Sequence, residues 1–263
     1  MTKILGKSVN AGYAILFFMF SFHMLFINDN RKEFTPQIGK IVLYAASILL
    51  LQELLVLLLE KCQDKTALIV RLMLLAAFTV VQWNVFIKIN IAFGWDAWRV
   101  YEVADKGMAA SGYFDYMAYN PNNIAIALLG RLWVKIMSWR TFFSTAQKLV
   151  VLNLICFDIS LVRGYFIVKK IGGVSSADRF AFLFCTIIGL SPWMAVFYTD
   201  ILAMVFPVLA LLLYMWSENE CAQRKKYVLL GLSVAVTVIG AYIKITAIIV
   251  WIAIFISIVI SLN

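Results

Sequence analysis

Apolar residues along this chain fall into long unbroken runs at 9–27, 41–59, 67–87, 149–168, 180–197, 201–216, 227–243 and 245–263, with a shorter one at 123–137. A helix of about 20 mostly apolar residues crosses the ~30 Å of hydrocarbon in a bilayer. Each of the longer runs therefore predicts a helical span. The run 123–137 is short and carries Arg131 and Lys135, which predicts a partly inserted or interfacial helix rather than a crossing. Polar stretches at 28–40, 60–66, 88–122, 138–148, 169–179 and 217–226 separate the runs, and only 88–122 is long. The expected fold is all-α: a polytopic transmembrane helical bundle of about 8–9 apolar segments. It forms a single domain over 1–263, and its one long loop carries amphipathic interfacial helices.

Composition strengthens this picture. The chain is 63% hydrophobic and 14% charged, with a mean hydropathy of +0.91, whereas soluble domains average roughly 45–50% apolar and about 25% charged. A soluble enzyme, a nucleic-acid-binding module and a disordered chain are excluded. A β-barrel is excluded as well, because barrel strands alternate apolar and polar positions and these runs are continuous. Cys62, Cys156, Cys185 and Cys221 are scattered; without ligand spacing they imply neither a disulfide framework nor a zinc site. Lys3 and Lys7 precede the first run like the start of a signal peptide. With no small-residue cleavage site and more spans behind it, that run reads as a retained helix.

The net charge of +9 is a matter of topology, since basic residues collect on cytoplasmic loops. The clusters Arg163/Lys169/Lys170/Arg179 and Arg224/Lys225/Lys226 are the strongest and are expected inside. Residues 88–122 oppose Lys88, Arg99 and Lys106 with Asp96, Glu102, Asp105 and Asp115, a balance of −1. Three crossings from an internal N-terminus bring this loop outside. The connection Phe197-Tyr198-Thr199-Asp200 then faces the same compartment. The protein is expected in the cell membrane, multi-pass, with its active face extracytoplasmic.

Within the loop, 93–106 reads as an amphipathic helix whose Trp95, Trp98, Val100 and Tyr101 suit a membrane surface. Asp96 and Arg99 stand three apart, on one side of a helix. A carboxylate there accepts a proton from a hydroxyl nucleophile, and a guanidinium holds a phosphate through paired N–H bonds. Further on, Tyr119-Asn120-Pro121-Asn122-Asn123 precedes the short apolar run. Pro121 suits a helix entry, and the free N–H groups at Asn122 and Asn123 favour an anion.

The loop acid with an arginine three residues later, the tyrosine–proline segment and the later Tyr198-x-Asp200 turn occur in a familiar order. It resembles the GT-C superfamily of polytopic glycosyltransferases, in particular the protein-mannosyltransferase and aminoarabinose-transferase-like branch. The stretch Gly240–Ala247, where Lys244 interrupts an apolar run, is similar to a segment in some bacterial members. The resemblance spans about residues 88–250. It implies transfer of a sugar from a polyprenyl-phosphate donor to a glycan, lipid or protein acceptor at the outer face, with inversion. Asp96 then corresponds to the general base and Asp200 to a second acid near the reaction centre. Arg99, Asn122, Asn123 and Lys244 are the candidate phosphate contacts, and Tyr101, Tyr119 and Tyr198 the candidate substrate contacts. No cofactor is implied, although Asp96 and Asp200 could share a divalent ion. Nucleic acid is not an expected partner; membrane lipid is.

Two departures stand out. Several relatives carry a lysine before the proline, where this chain has Tyr119-Asn120. Many have one span before the acidic loop rather than three. Relatives also continue with more spans and often an external domain, so a truncated version is expected. The alternatives are a secondary transporter using Asp158, Asp200 and Lys244, and a non-catalytic membrane assembly partner. An acid inside a span, as Asp158 is, marks a functional site by default. Transporter repeats with broken helices are not found in the sequence.

Overall fold

The computed structural model describes residues 38–89, 94–110 and 112–261, and among them every regular element is helical. The expected first span, 9–27, lies outside the described residues. The chain divides into two units, Met1–Leu54 and Leu55–Asn263. In the first, the described residues form the start of α1 (Ile38–Lys61), where Ser47 Oγ returns a hydrogen bond to the Leu43 carbonyl at 2.8 Å.

The second unit takes in the end of α1 and then α2 (Asp64–Lys88), α3 (Trp95–Lys106), α4 (Tyr113–Tyr119) and α5 (Ile124–Ile136). These are followed by α6 (Thr145–Leu183), α7 (Thr199–Ala203), α8 (Val205–Glu218), α9 (Gln223–Ile243) and α10 (Ile249–Ser261). Among the described residues, four helical stretches have the length and apolarity to cross a membrane: Asp64–Lys88, Thr145–Gly189, Thr199–Glu218 and Gln223–Ile243. Of the expected runs, 180–197 and 245–263 do not form separate spans, for local reasons. The run 245–263 starts as a 3-10 turn, Ile245–Ile248, and leaves α10 only 13 residues, about 20 Å of helix. The run 180–197 leaves helical geometry through a π-turn, Phe184–Gly189, ahead of Pro192. Proline and the restriction it places on the preceding residue end helices in this way.

The polar stretch 169–179, expected as a loop, is helical on both sides of a single reversal. Gly173 has φ +82° and ψ −179° inside α6, a backbone state that side-chain-bearing residues avoid. Residues 165 and 178 on a straight helix would be about 20 Å apart, yet the Tyr165 hydroxyl donates to Asp178 Oδ1 at 3.1 Å. The two arms of α6 are therefore antiparallel. Arg71 on α2 completes the fastening, with Nε and Nη2 donating to the Asp178 carboxylate at 2.8–3.0 Å.

These contacts define two ends of the unit. At one end Gln147 Nε2 donates to the Ile87 carbonyl at 3.0 Å, joining the close of α2 to the start of α6. There the capping box of Ser144 and Gln147 opens α6, satisfying two orphan N–H groups reciprocally. At the other end lie Gly173, a hydrogen bond from Lys170 Nζ to the Met215 carbonyl at 3.0 Å, and the Lys226–Glu218 pair at 3.2 Å. Helix α5 has both ends at the first of these. Asn123 precedes it beside Tyr116, and Trp133 Nε1 donates to the Lys148 carbonyl in the first turns of α6 at 2.7 Å. Its 13 residues cover about 20 Å and pack along α3 over Val100, Val103 and Ala104.

The Arg71–Asp178 pair is a direct test of the reversal. Asp178→Ala strands a guanidinium within a span, which typically costs about 3 kcal/mol. The unfolding midpoint of detergent-held protein should fall accordingly; a midpoint equal to wild type would show that the pair does not fasten the two arms.

Candidate functional site

A polar cluster forms at the end of the second unit where α3, α5 and α7 begin. Asp96 stands in the first turn of α3, which buries Val100, Val103 and Ala104 and leaves Arg99, Asp105 and Lys106 exposed. Tyr198 stands in extended backbone (φ −154°, ψ −179°) just ahead of α7. A hundred residues apart in sequence, they meet: the Tyr198 hydroxyl donates to Asp96 Oδ2 at 3.3 Å.

Two buried carboxamides put Tyr198 there. Where the helix ends near Gly189, Gln82 Nε2 donates to the Gly189 carbonyl at 2.9 Å. Asn153 Nδ2, from α6, donates to the carbonyls of Met194 at 3.2 Å and Val196 at 2.8 Å. Backbone groups freed from a helix in apolar surroundings require such partners. The next residue, Phe197, is buried and lies against Gly130 of α5, where a Cβ would come within 2.8 Å of its ring. That contact brings Tyr198 to the start of α5.

There Asn123, with no exposed surface, donates through Nδ2 to the Tyr116 hydroxyl at 2.6 Å, and its own Oδ1 accepts from Asn122 Nδ2 at 3.2 Å. Asn123 also acts on the Tyr198 hydroxyl, and Asp96 on the Tyr116 hydroxyl, through their electrostatics. One carboxylate, two phenols and one amide thus gather in one cluster. Burial pushes the Tyr116 phenol up to about 12; the Asn123 N–H opposes this, and the neighbouring Asp96 adds to it. Tyr198 is raised by the same causes in the same order, with Asp200 contributing as well. Both therefore remain neutral O–H donors at neutral pH.

Asp200, in the first turn of α7, forms a salt bridge with Lys244, which follows α9 in extended backbone (φ −152°, ψ 118°). The pair is open to solvent, with 62% of the Asp200 side chain exposed. Arg99 donates to the buried Glu102 at 3.1 Å, and Lys106 also pairs with Glu102 at 3.7 Å.

The expected site residues thus separate into groups. Asp96, Tyr198 and Asn123 are brought together, with Asp200 and Lys244 beside them through Tyr198. Asn123 was expected to face a phosphate, but it is fully buried and spends its amide on tyrosine hydroxyls. Asn122 is exposed and donates to Asn123 Oδ1. Tyr101 stacks on Trp98, ring centroids 5.3 Å apart. Tyr119 is 87% exposed; the tyrosine that enters the cluster is Tyr116, one turn earlier, which nothing in the sequence pattern singles out. Asp158 lies thirteen residues into α6 and accepts from Trp83 Nε1 at 3.3 Å, while its Oδ1 is buried without a partner. Among the described residues no three His, Cys, Asp or Glu side chains group as metal ligands.

Several helices long and apolar enough to cross a bilayer, with a polar cluster at one end, make this a helical membrane protein. Residues 11–263 match a family described as conserved hypothetical integral membrane proteins, and the chain belongs to it. No curated protein and no solved structure matches the chain.

An alkaline absorbance titration tests the cluster. Phenolate should keep rising to about pH 12 in the wild type, and Tyr116→Phe should remove the last component. Asp96→Asn, by removing a negative charge beside both hydroxyls, should move that component to lower pH. A curve unchanged in both variants would place the two phenols away from Asp96.

Proposed function

We propose that this protein is a membrane glycosyltransferase of GT-C type, moving a sugar from a polyprenyl-phosphate donor to an acceptor hydroxyl at the extracytoplasmic face. The observation that carries the reading is the meeting of Asp96 with the Tyr198–Asp200 turn. A chemical site of this kind needs the loop acid and the later turn in one place, and a purely solvated loop does not.

Asp96 is the base. A carboxylate offers about four lone-pair sites. With two facing tyrosine hydroxyls, the others remain for the acceptor O–H, whose proton Asp96 takes as its oxygen attacks the anomeric carbon from the face opposite the phosphate. The bond from that carbon to the phosphate oxygen breaks, and its electrons leave with the lipid phosphate. A phosphate is a good leaving group, so its departure needs charge stabilisation more than an acid. Lys244 supplies that charge, exchanging its exposed contact with Asp200 for the phosphate. Arg99, one turn along α3, faces the same headgroup layer, held by Glu102.

The distribution of charge supports the outer face. Lys169, Lys170, Arg224, Lys225 and Lys226 gather around the Gly173 reversal and the α8–α9 turn, at the end away from Asp96. Basic residues are retained on the cytoplasmic side, which leaves the cluster outside.

Two experiments test this. With a panel of labelled polyprenyl-phosphate sugars, wild type should transfer from at least one, and Asp96→Asn should lose transfer while inserting normally; full activity in that variant removes Asp96 as base. Independently, an impermeant maleimide on intact cells should label a cysteine placed at Asp105, while the exposed Cys221 should label only after permeabilisation. The reverse pattern would put the cluster in the cytoplasm and end the proposal.

A further inference from the structure

Around Asp96, the balance of hydrogen-bond donors and acceptors decides which way every proton points. Asn123 is fully buried, and its side-chain oxygen is taken by Asn122 Nδ2 at 3.2 Å. Its NH2 group is therefore the end that faces the phenols, donating to Tyr116 at 2.6 Å and acting on Tyr198 as well. A phenolic oxygen that accepts from an amide still has one proton to give. The Asp96 carboxylate accepts from the Tyr198 hydroxyl, 3.3 Å from Oδ2, and is the charge that bears on the Tyr116 hydroxyl as well. Were the amide reversed, its oxygen would compete for those protons and draw them away from Asp96.

We infer that Asn123 is a positioning residue that acts through Tyr116 and Tyr198: it turns both phenolic protons onto Asp96 and so fixes the rotation of the carboxylate. Burial of Asn123 at the entry to α5 makes the setting rigid. The backbone there is held too, by Pro121 and by the Asn123 N–H donating to the Asn120 carbonyl at 3.0 Å. The clamp holds the carboxylate of half-buried Asp96 in one orientation and leaves its remaining lone pairs for an incoming hydroxyl. This assignment rests on the transferase reading only for its kinetic meaning; the arrangement of protons stands apart from it.

The carboxylate stretching band reports hydrogen bonds to Asp96 whether or not a reaction is known. The infrared difference between wild type and Asp96→Asn isolates that band. Asn123→Ala should shift it, and so should Tyr116→Phe and Tyr198→Phe. In the Tyr116→Phe/Tyr198→Phe background, adding Asn123→Ala should change nothing, because the amide would have no phenol to act through. Tyr227→Phe, on an exposed tyrosine of α9, is the control and should leave the band in place. An unmoved band in Asn123→Ala overturns the inference. Where that variant does not fold, Tyr116→Phe, which keeps the ring and its packing, decides in its place: an unmoved band there overturns the inference equally. Once a polyprenyl-phosphate sugar is found that wild type uses, Asn123→Ala should lower kcat by about 10- to 100-fold with KM for the sugar donor unchanged. A rise in KM with kcat intact would make Asn123 a substrate contact and overturn the positioning role. If wild type transfers no such sugar, the functional reading falls, while the infrared result still decides the clamp.

Discussion

A helix that stops inside an apolar protein leaves carbonyls without partners, and in lipid there is no water to take them. The second unit meets this constraint at one place above all, between Gly189 and Tyr198. Gln82 from α2 and Asn153 from α6 donate to three carbonyls of that segment. An unpartnered buried polar group costs about 1–3 kcal/mol, so the two amides hold the path of the segment, although the side-chain oxygens of Gln82 and Asn153 are themselves buried without partners. Phe197 follows into the gap above Gly130, and Tyr198 arrives at Asp96 as a consequence. The polar cluster is thus downstream of two carboxamides that are no part of it.

What could be read in the sequence follows the same division. The spans 67–87, 201–216 and 227–243 were legible because continuous apolar runs of that length have few other solutions, and their helices cover Asp64–Lys88, Thr199–Glu218 and Gln223–Ile243. The short run with Arg131 and Lys135 was legible as a short helix, and α5 has 13 residues. The reversal at Gly173 was legible only as a loop; that one glycine with a positive φ would suffice, and helix continue on both sides, depends on Asp178 finding Arg71 and Tyr165.

Tyr116 and Asn123 were illegible as a pair for a different reason. Seven residues separate them, two helical turns, which would put both on one face of a continuous helix. Pro121 interrupts the helix between them, so periodicity gave no reason to expect contact. The sequence instead pointed to Tyr119 for its nearness to the proline and to Asn123 for its place at a helix entry. Burial decided otherwise: the neighbours of Asn123 on α5, Ile126 and Ala127, have no exposed surface, and the same face draws Asn123 inward. A helix entry binds an anion only where its first turn reaches solvent, and here the exposed member of that turn is Asn122.

The charged groups of the site differ in what holds them, and that difference orders their proposed roles. Asp96 faces two phenols whose rings are partly buried and whose oxygens are set by a buried amide, so moving it requires rearranging α4 and the start of α5. The Lys244–Asp200 bridge is open to water, where an ion pair is worth at most about 1 kcal/mol. Lys244 can therefore change partners at little cost, whereas Asp96 cannot change direction without disturbing its neighbours. A transfer reaction asks for that combination. The base must be preorganised for a proton it receives only in the transition state, while the cation must accept a phosphate when the lipid arrives and release it when the product leaves. Interchanging the two settings, with a clamped lysine and a loosely held acid, would bind the phosphate too persistently and leave the base unaimed.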